Sequence, residues 1–204
     1  MPTSSRTHII LLIVFIIALL WSGIQPHDYF TWALEVFPAV IGVIVLLATR
    51  NRFPLTMLTY CLILIHCCIL FVGGHYTYAL VPLFDWVREI FQQSRNNYDK
   101  VGHFAQGFVP AIITRELFIR LNVINNKRWI AFLTVCVCVT ISAGYEFLEW
   151  FVAIVSGESA ESFLGTQGYV WDTQSDMLYA LIGAVCMVVL LSRIHDKQLA
   201  NLKR

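Results

Sequence analysis

Charge is scarce in this sequence. Only 13% of its 204 residues are Asp, Glu, Lys or Arg, against about 25% in a typical soluble domain. The net charge of +1 gives no bulk attraction for nucleic acid. Cysteine is missing from every polar loop. Cys61, Cys67, Cys68, Cys136, Cys138 and Cys186 all fall inside apolar runs, where they read as small packed side chains rather than a disulfide framework or a zinc motif. Cys136-Val-Cys138 also lacks the spacing of a redox pair. There is no internal repeat, no low-complexity tract and no composition shift, so residues 1–204 read as one integral membrane domain.

What is abundant is apolar surface. Hydrophobic residues make up 58% and aromatics 14%, and the mean hydropathy is +0.69. A helix crosses the hydrocarbon layer with about 17–25 residues. Charge-poor runs of that order occur at about 8–24, 29–49, 55–73, 101–119, 129–156 and 176–194. The fold class expected is therefore all-α: a polytopic membrane helix bundle of six transmembrane helices. The first run is read as an uncleaved span, because cleavage after Gly23 would put Trp21 where a signal peptidase needs a small residue.

The polar connection before the fourth run is too long for a turn. Leu80, Leu83, Phe84, Val87 and Phe91 recur at helical spacing, with Asp85, Arg88, Glu89, Gln92 and Gln93 opposite. This predicts one amphipathic helix at about 80–93, either interfacial or packed over the bundle. Basic residues set the orientation. With six spans, Arg6, Arg50, Arg52, Arg120, Lys127, Arg128, Arg193, Lys197, Lys203 and Arg204 share one side, leaving Arg88, Arg95 and Lys100 on the other. Both termini are then cytoplasmic, in a multi-pass membrane protein.

Acidic residues and one imidazole gather at the outer ends of the last three runs. Asp99 and His103 are four apart, Glu146 and Glu149 three apart, Asp172 and Asp176 four apart; each spacing stacks the pair on one helix face. A carboxylate at mid-membrane costs at least about 2.5–3.5 kcal/mol, so such residues need partners, protons, water or a metal. Carboxylates with an imidazole suit a hard or borderline divalent metal such as Mg²⁺, Mn²⁺, Zn²⁺ or Fe²⁺. The candidate ligands are Asp99, His103, Glu149, Asp172 and Asp176, with Glu146 as the general base that activates water. Blander roles exist: Asp99 and Asp172 as helix N-caps, and His103 as a core residue or the imidazolium partner of the glutamates. Arg115 is expected to snorkel and Glu116 to pair with Arg120. Glu35 either joins the outer cluster or faces headgroups, and His66 and His75 read as structural. The loop 157–171, with Ser159, Ser162, Thr166 and Gln167 among glycines, suits a lid.

The stretches YDKVGHFAQGF, RELFIR, GYEFLEW and GTQGYVWDTQSDM, in that order, resemble the YjdF-like family of bacterial inner-membrane proteins. The resemblance implies a multi-pass protein of the cytoplasmic membrane and no established activity. A looser outline (Asp99-Lys100, His103, Glu146, Asp176 and Gly183) is similar to VanZ-like membrane proteins, without their Gln and Arg between the last two spans. That bears on location and architecture alone. Three functions follow. One is a metal-dependent enzyme acting on a lipid or envelope precursor. A second is a proton- or cation-coupled transporter, which would need a polar path onward to the cytoplasm. The third is a non-catalytic component whose polar cluster locks helices together.

Overall fold

The computed structural model describes residues 5–156 and 166–202. Among them are seven helices and no strand: α1 (Ser5–Ser22), α2 (Tyr29–Thr49), α3 (Met57–Tyr76), α4 (Pro82–Ile90), α5 (Tyr98–Arg120), α6 (Lys127–Ser156) and α7 (Asp172–Leu202). The lid expected over 157–171 falls mostly outside the described residues; its end, from Thr166, is within them.

α2, α3 and α6 start where a side chain satisfies free backbone N–H groups. Asp28 accepts from the Thr31 N–H at 2.7 Å, Thr56 caps α3 through Thr59, and Asn126 Oδ1 accepts from Arg128 N–H at 2.9 Å. Pro82 opens α4. α3 ends at Thr77 in the left-handed region. Tyr78, also at positive φ, then turns its ring back between α3 and α5. Only glycine leaves room for it: a Cβ on Gly73 would lie 2.3 Å from the ring, and one on Gly102 2.9 Å.

α1, α2 and α3 share one core of Phe15, Val36, Ala39, Cys67 and Phe71. α5, α6 and α7 share another of Ala111, Ile112, Cys138, Ala184 and Met187. α3 packs on α5 and joins the two groups. The tightest pairing is α5 with α7, which run parallel. Gly107 on α5 faces Ala180, where an added Cβ would sit 1.8 Å from the carbonyl oxygen; Gly183 on α7 faces Phe104, with a corresponding 2.1 Å. Small residues of this kind let membrane helices meet backbone to backbone.

Four helices are long and apolar enough to cross a membrane: α2, α3, α6 and α7. α1 is a shorter apolar helix over Arg6–Ser22. α5 has the length but not the apolar composition, because it carries Asp99, Lys100, His103, Arg115 and Glu116; it is instead lined with buried residues. The bundle's outside bears large exposed apolar side chains such as Ile17, Leu20, Ile154 and Val189, a surface suited to lipid rather than water. α4 packs by one face and leaves the other exposed. Phe84 packs edge-on against Tyr98, while Leu83, Trp86, Ile90 and Phe91 stay exposed. The α4 helix is tied down by Asn96, whose side-chain amide donates to Val81 O at 3.0 Å and to Asp85 at 3.2 Å.

Candidate functional site

The parallel α5–α7 pair brings the start of both helices to one end of the bundle, and antiparallel α6 brings its last turns to the same end. Three of the stacked pairs noticed in the sequence therefore converge. His103, buried on α5, is the centre. Its Nε2 lies 3.2 Å from Asp99 and 3.6 Å from Asp176; its Nδ1 lies 3.2 Å from Gln106 Oε1 and 3.9 Å from Glu146. Both ring nitrogens thus face oxygens. A neutral ring would aim one lone pair at an oxygen, and a second proton or a bound cation removes that conflict.

Two overlapping groups place their ligand atoms within 4.8 Å of one another: Asp99–His103–Asp176 and His103–Glu146–Glu149. They differ in how their charge is met. In the first, Lys100 Nζ reaches Asp176 at 2.5 Å and Asp99 at 3.2 Å. In the second, Glu146 is 7% exposed and its Oε1 has no hydrogen-bond partner, and among the described residues no Lys or Arg pairs with Glu146 or Glu149. A buried carboxylate oxygen without a partner carries a full desolvation penalty, which an ion or proton there would relieve.

Asp172, the remaining candidate, stands apart from both groups. Its Oδ1 receives Arg95 at 2.5 Å and Lys100 at 2.7 Å. Neither Asp99 nor Asp172 is an N-cap: Asp99 lies in the first turn behind Asn97, and Asp172 is the first residue of α7. Their carboxylates bind side chains of other turns instead. Tyr169 stacks beneath both cations, 5.5 Å from Arg95 and 5.9 Å from Lys100. Arg95 also donates to Thr166 O at 3.1 Å. Gln167 grips the Asn96 backbone twice, accepting from its N–H at 3.1 Å and donating to its carbonyl at 2.9 Å. The segment before α7 is thus strapped to the segment before α5.

Beside His103 is a cavity of about 190 Å³. It is bounded by α2 (Glu35, Pro38), α3 (His66, Leu70), the Tyr78 ring, α5 (Asp99, Gly102, His103, Gln106, Pro110) and α6 (Ile141, Tyr145, Glu149). Glu35 joins the cluster rather than facing headgroups: it is 4% exposed, and Tyr145 donates to it at 3.4 Å. His66 lines this cavity, whereas His75 is structural, stacked on Trp21 with Nδ1 3.0 Å from Ser22 O.

The residue patterns found here are those of a known family. The family model described as "Predicted membrane protein (DUF2238)" matches residues 7–197. The chain belongs to the DUF2238 family. Inner membrane protein YjdF of Escherichia coli (strain K12) is 51% identical over 181 residues, which is 89% of this chain and 87% of that protein. No solved structure matches. The YjdF-like resemblance of the four motifs is thereby shown, and with it a multi-pass inner-membrane protein of a family without a described activity. The VanZ-like outline rests on the sequence pattern alone.

Two parts of this DUF2238 chain escaped the sequence reading. One is the cationic side of the cluster around His103. Arg95 and Lys100 sit one turn and one residue from Asp99, so their proximity to it was legible; their reach to Asp172 and Asp176 on α7 was not. The other is a second polar knot at the opposite end. Arg115 does not snorkel. It is buried, donating to His195 Nδ1 at 3.0 Å and Asp196 at 2.6 Å. Because Nδ1 accepts, Nε2 carries the ring proton and donates to Glu116 at 3.1 Å. Glu116, fully buried, also accepts from Thr56, Thr59 and, as expected, Arg120.

Proposed function

We propose that the chain spans the inner membrane six times with both termini in the cytoplasm, and that the outer ends of α5, α6 and α7 hold a divalent cation used in catalysis on a lipid or envelope precursor. α5 then counts as a span despite its composition, because its polar residues are enclosed by neighbouring helices. The observation that carries the reading is Glu146 Oε1: a buried, unpartnered carboxylate oxygen in a group with His103 and Glu149. That group has two carboxylates and an imidazole, a donor set matched to a hard or borderline ion. Asp99 and Asp176 are engaged by Lys100 and His103 and serve better to orient the imidazole, as carboxylates behind metal-bound histidines commonly do. Glu146, read from sequence as the general base, fits the ligand role at least as well. A bound water made acidic by the ion would be the nucleophile.

Transport has less support. Toward the cytoplasmic end, Ala111, Ile112, Cys138, Ala184 and Met187 are fully buried with no exposed surface, and they separate His103 from the Glu116 knot by about 20 Å along α5. The buried polar side chains described in that stretch, Thr114, Thr134 and Ser142, carry no charge.

The test is elemental analysis of protein purified without chelator and again after loading with Mn²⁺, read by its paramagnetic signal. Near-stoichiometric ion in the wild type, lost in Glu146→Gln and His103→Ala, supports the reading. If no ion is retained under either condition, His103 is the imidazolium partner of the glutamates and the cluster is a helix lock. A fluorescent protein fused after Arg204 reports the cytoplasmic C-terminus; a dark, exported fusion would reverse the orientation.

A further inference from the structure

We infer that the cavity beside His103 receives the amine-bearing head of a membrane lipid that enters sideways, through a gap between α2 and α6. This names the substrate class of the site proposed above and rests on that site being the reactive one.

The gap follows from how the helices pack. α2 packs on α3, and α6 packs on α5 and α7. α2 and α6 flank the cavity and are not among the closely packed helix pairs; the hydrogen bond from Tyr145 to Glu35, 3.4 Å long, reaches across. On either side of that contact the cavity is bounded by Pro38 and Ile141, both exposed on the bundle's outside. A mouth edged by an exposed proline and an isoleucine 42% accessible opens on acyl chains, not on water.

The size points the same way. A pocket that engulfs a small ligand holds about 300–1,000 Å³. The 190 Å³ here takes one end of an amphiphile, with the remainder left in the bilayer.

Charge selects the end. Three carboxylates, Glu35, Asp99 and Glu149, line the cavity, and no Lys or Arg is among its described lining residues. Lys100 and Arg95 are held by Asp172 and also reach Asp99, at 3.2 and 3.5 Å, so Glu35 and Glu149 are the lining carboxylates without a Lys or Arg contact among the described residues. An ion on His103, Glu146 and Glu149 would leave Glu35 facing the cavity from α2. Glu35 then attracts an ammonium group, in a medium of low dielectric where such terms are strong, and a head without an amine lacks that contact.

The experiment uses the full chain in vesicles of phosphatidylethanolamine and phosphatidylglycerol. A trace of one lipid or the other carries a photoactivated diazirine on its acyl chain, and adducts are mapped by mass spectrometry. The expected result is an adduct on α5 between Gln106 and Pro110, several-fold stronger with the ethanolamine probe. Ile141→Trp, which plugs the mouth, lowers it several-fold while labelling of the outer face of α1 at Ile13 and Ile17 is unchanged. Glu35→Gln brings the two probes toward equal labelling. Adducts confined to outward helix faces in the wild type, or equal labelling by both probes, overturn the inference. Metal content is measured on the same samples. Selective labelling without metal removes the ion and keeps the lipid assignment; metal without labelling does the reverse.

Discussion

At the scale of single residues, Lys100 has the widest reach in the cluster around His103. One ammonium group touches Asp99, Asp172 and Asp176, so it joins the first turns of α5 and α7 and keeps two of the acids from repelling each other. Removing one member of a buried ion pair costs about 3–5 kcal/mol, because its partners stay buried and charged. Lys100→Met should therefore lower the denaturation midpoint in detergent by several degrees, and adding Asp172→Asn should return part of the loss. A gentler effect belongs to Asp28. Hydrogen bonds from Thr31 hold its carboxyl below the ordinary value of 3.8. A group whose pKa is depressed by folding stabilises the fold above its unfolded value and loses that contribution as pH falls through the folded one. Asp28→Ala should cost about 1 kcal/mol at neutral pH, as loss of a cap does, less any screening at this half-exposed position. The difference from wild type should fade as the pH is taken below 3.8. Denaturation curves at neutral and acidic pH check it.

At the scale of elements, the closest joint is the reciprocal glycine contact of α5 and α7. A methyl group at either glycine would meet a backbone carbonyl, which cannot swing away as a side-chain tip can. Gly107→Ala and Gly183→Ala should each cost more than the roughly 1–3 kcal/mol of ordinary overpacking, seen as lost monodisperse protein on gel filtration; Gly144→Ala, where the added carbon meets nothing within 4 Å, is the silent control. The elements themselves were largely legible. Hydropathy runs marked every long helix, and the α2 bounds, 29–49, agree at both ends. α7 proved longer than its apolar run because its polar ends, with Asp172 before it and His195 and Asp196 after it, continue as helix to make contacts. The stacked acids were legible because a helix period is local. That Lys100 answers acids on α7, or that His195 buries itself against Arg115 and Glu116, depends on which helices become neighbours, and no spacing within one helix carries that. The contact that Gly107 and Gly183 make appears only when the helices meet.

At the scale of the whole molecule, the chain is two groups of three helices with α5 at the seam, polar at both ends and sealed in the middle by the small residues of α5–α7. The helix that contributes most to the candidate site is thus the one least able to enter lipid by itself. In the six-span arrangement proposed above, its stability in the bilayer is lent by α7, whose first residue follows the end of α5 by 52 positions. Biogenesis cannot then proceed as a series of independent insertions. The emerging α5 must be held at the translocation machinery, or wait at the headgroup layer, until α7 has been synthesised. A chain truncated after Ser156 should leave α5 extractable by carbonate or cleared by membrane proteases, whereas co-expressing the missing C-terminal segment as a separate peptide should restore retention; pulse-chase labelling followed by carbonate extraction distinguishes the two.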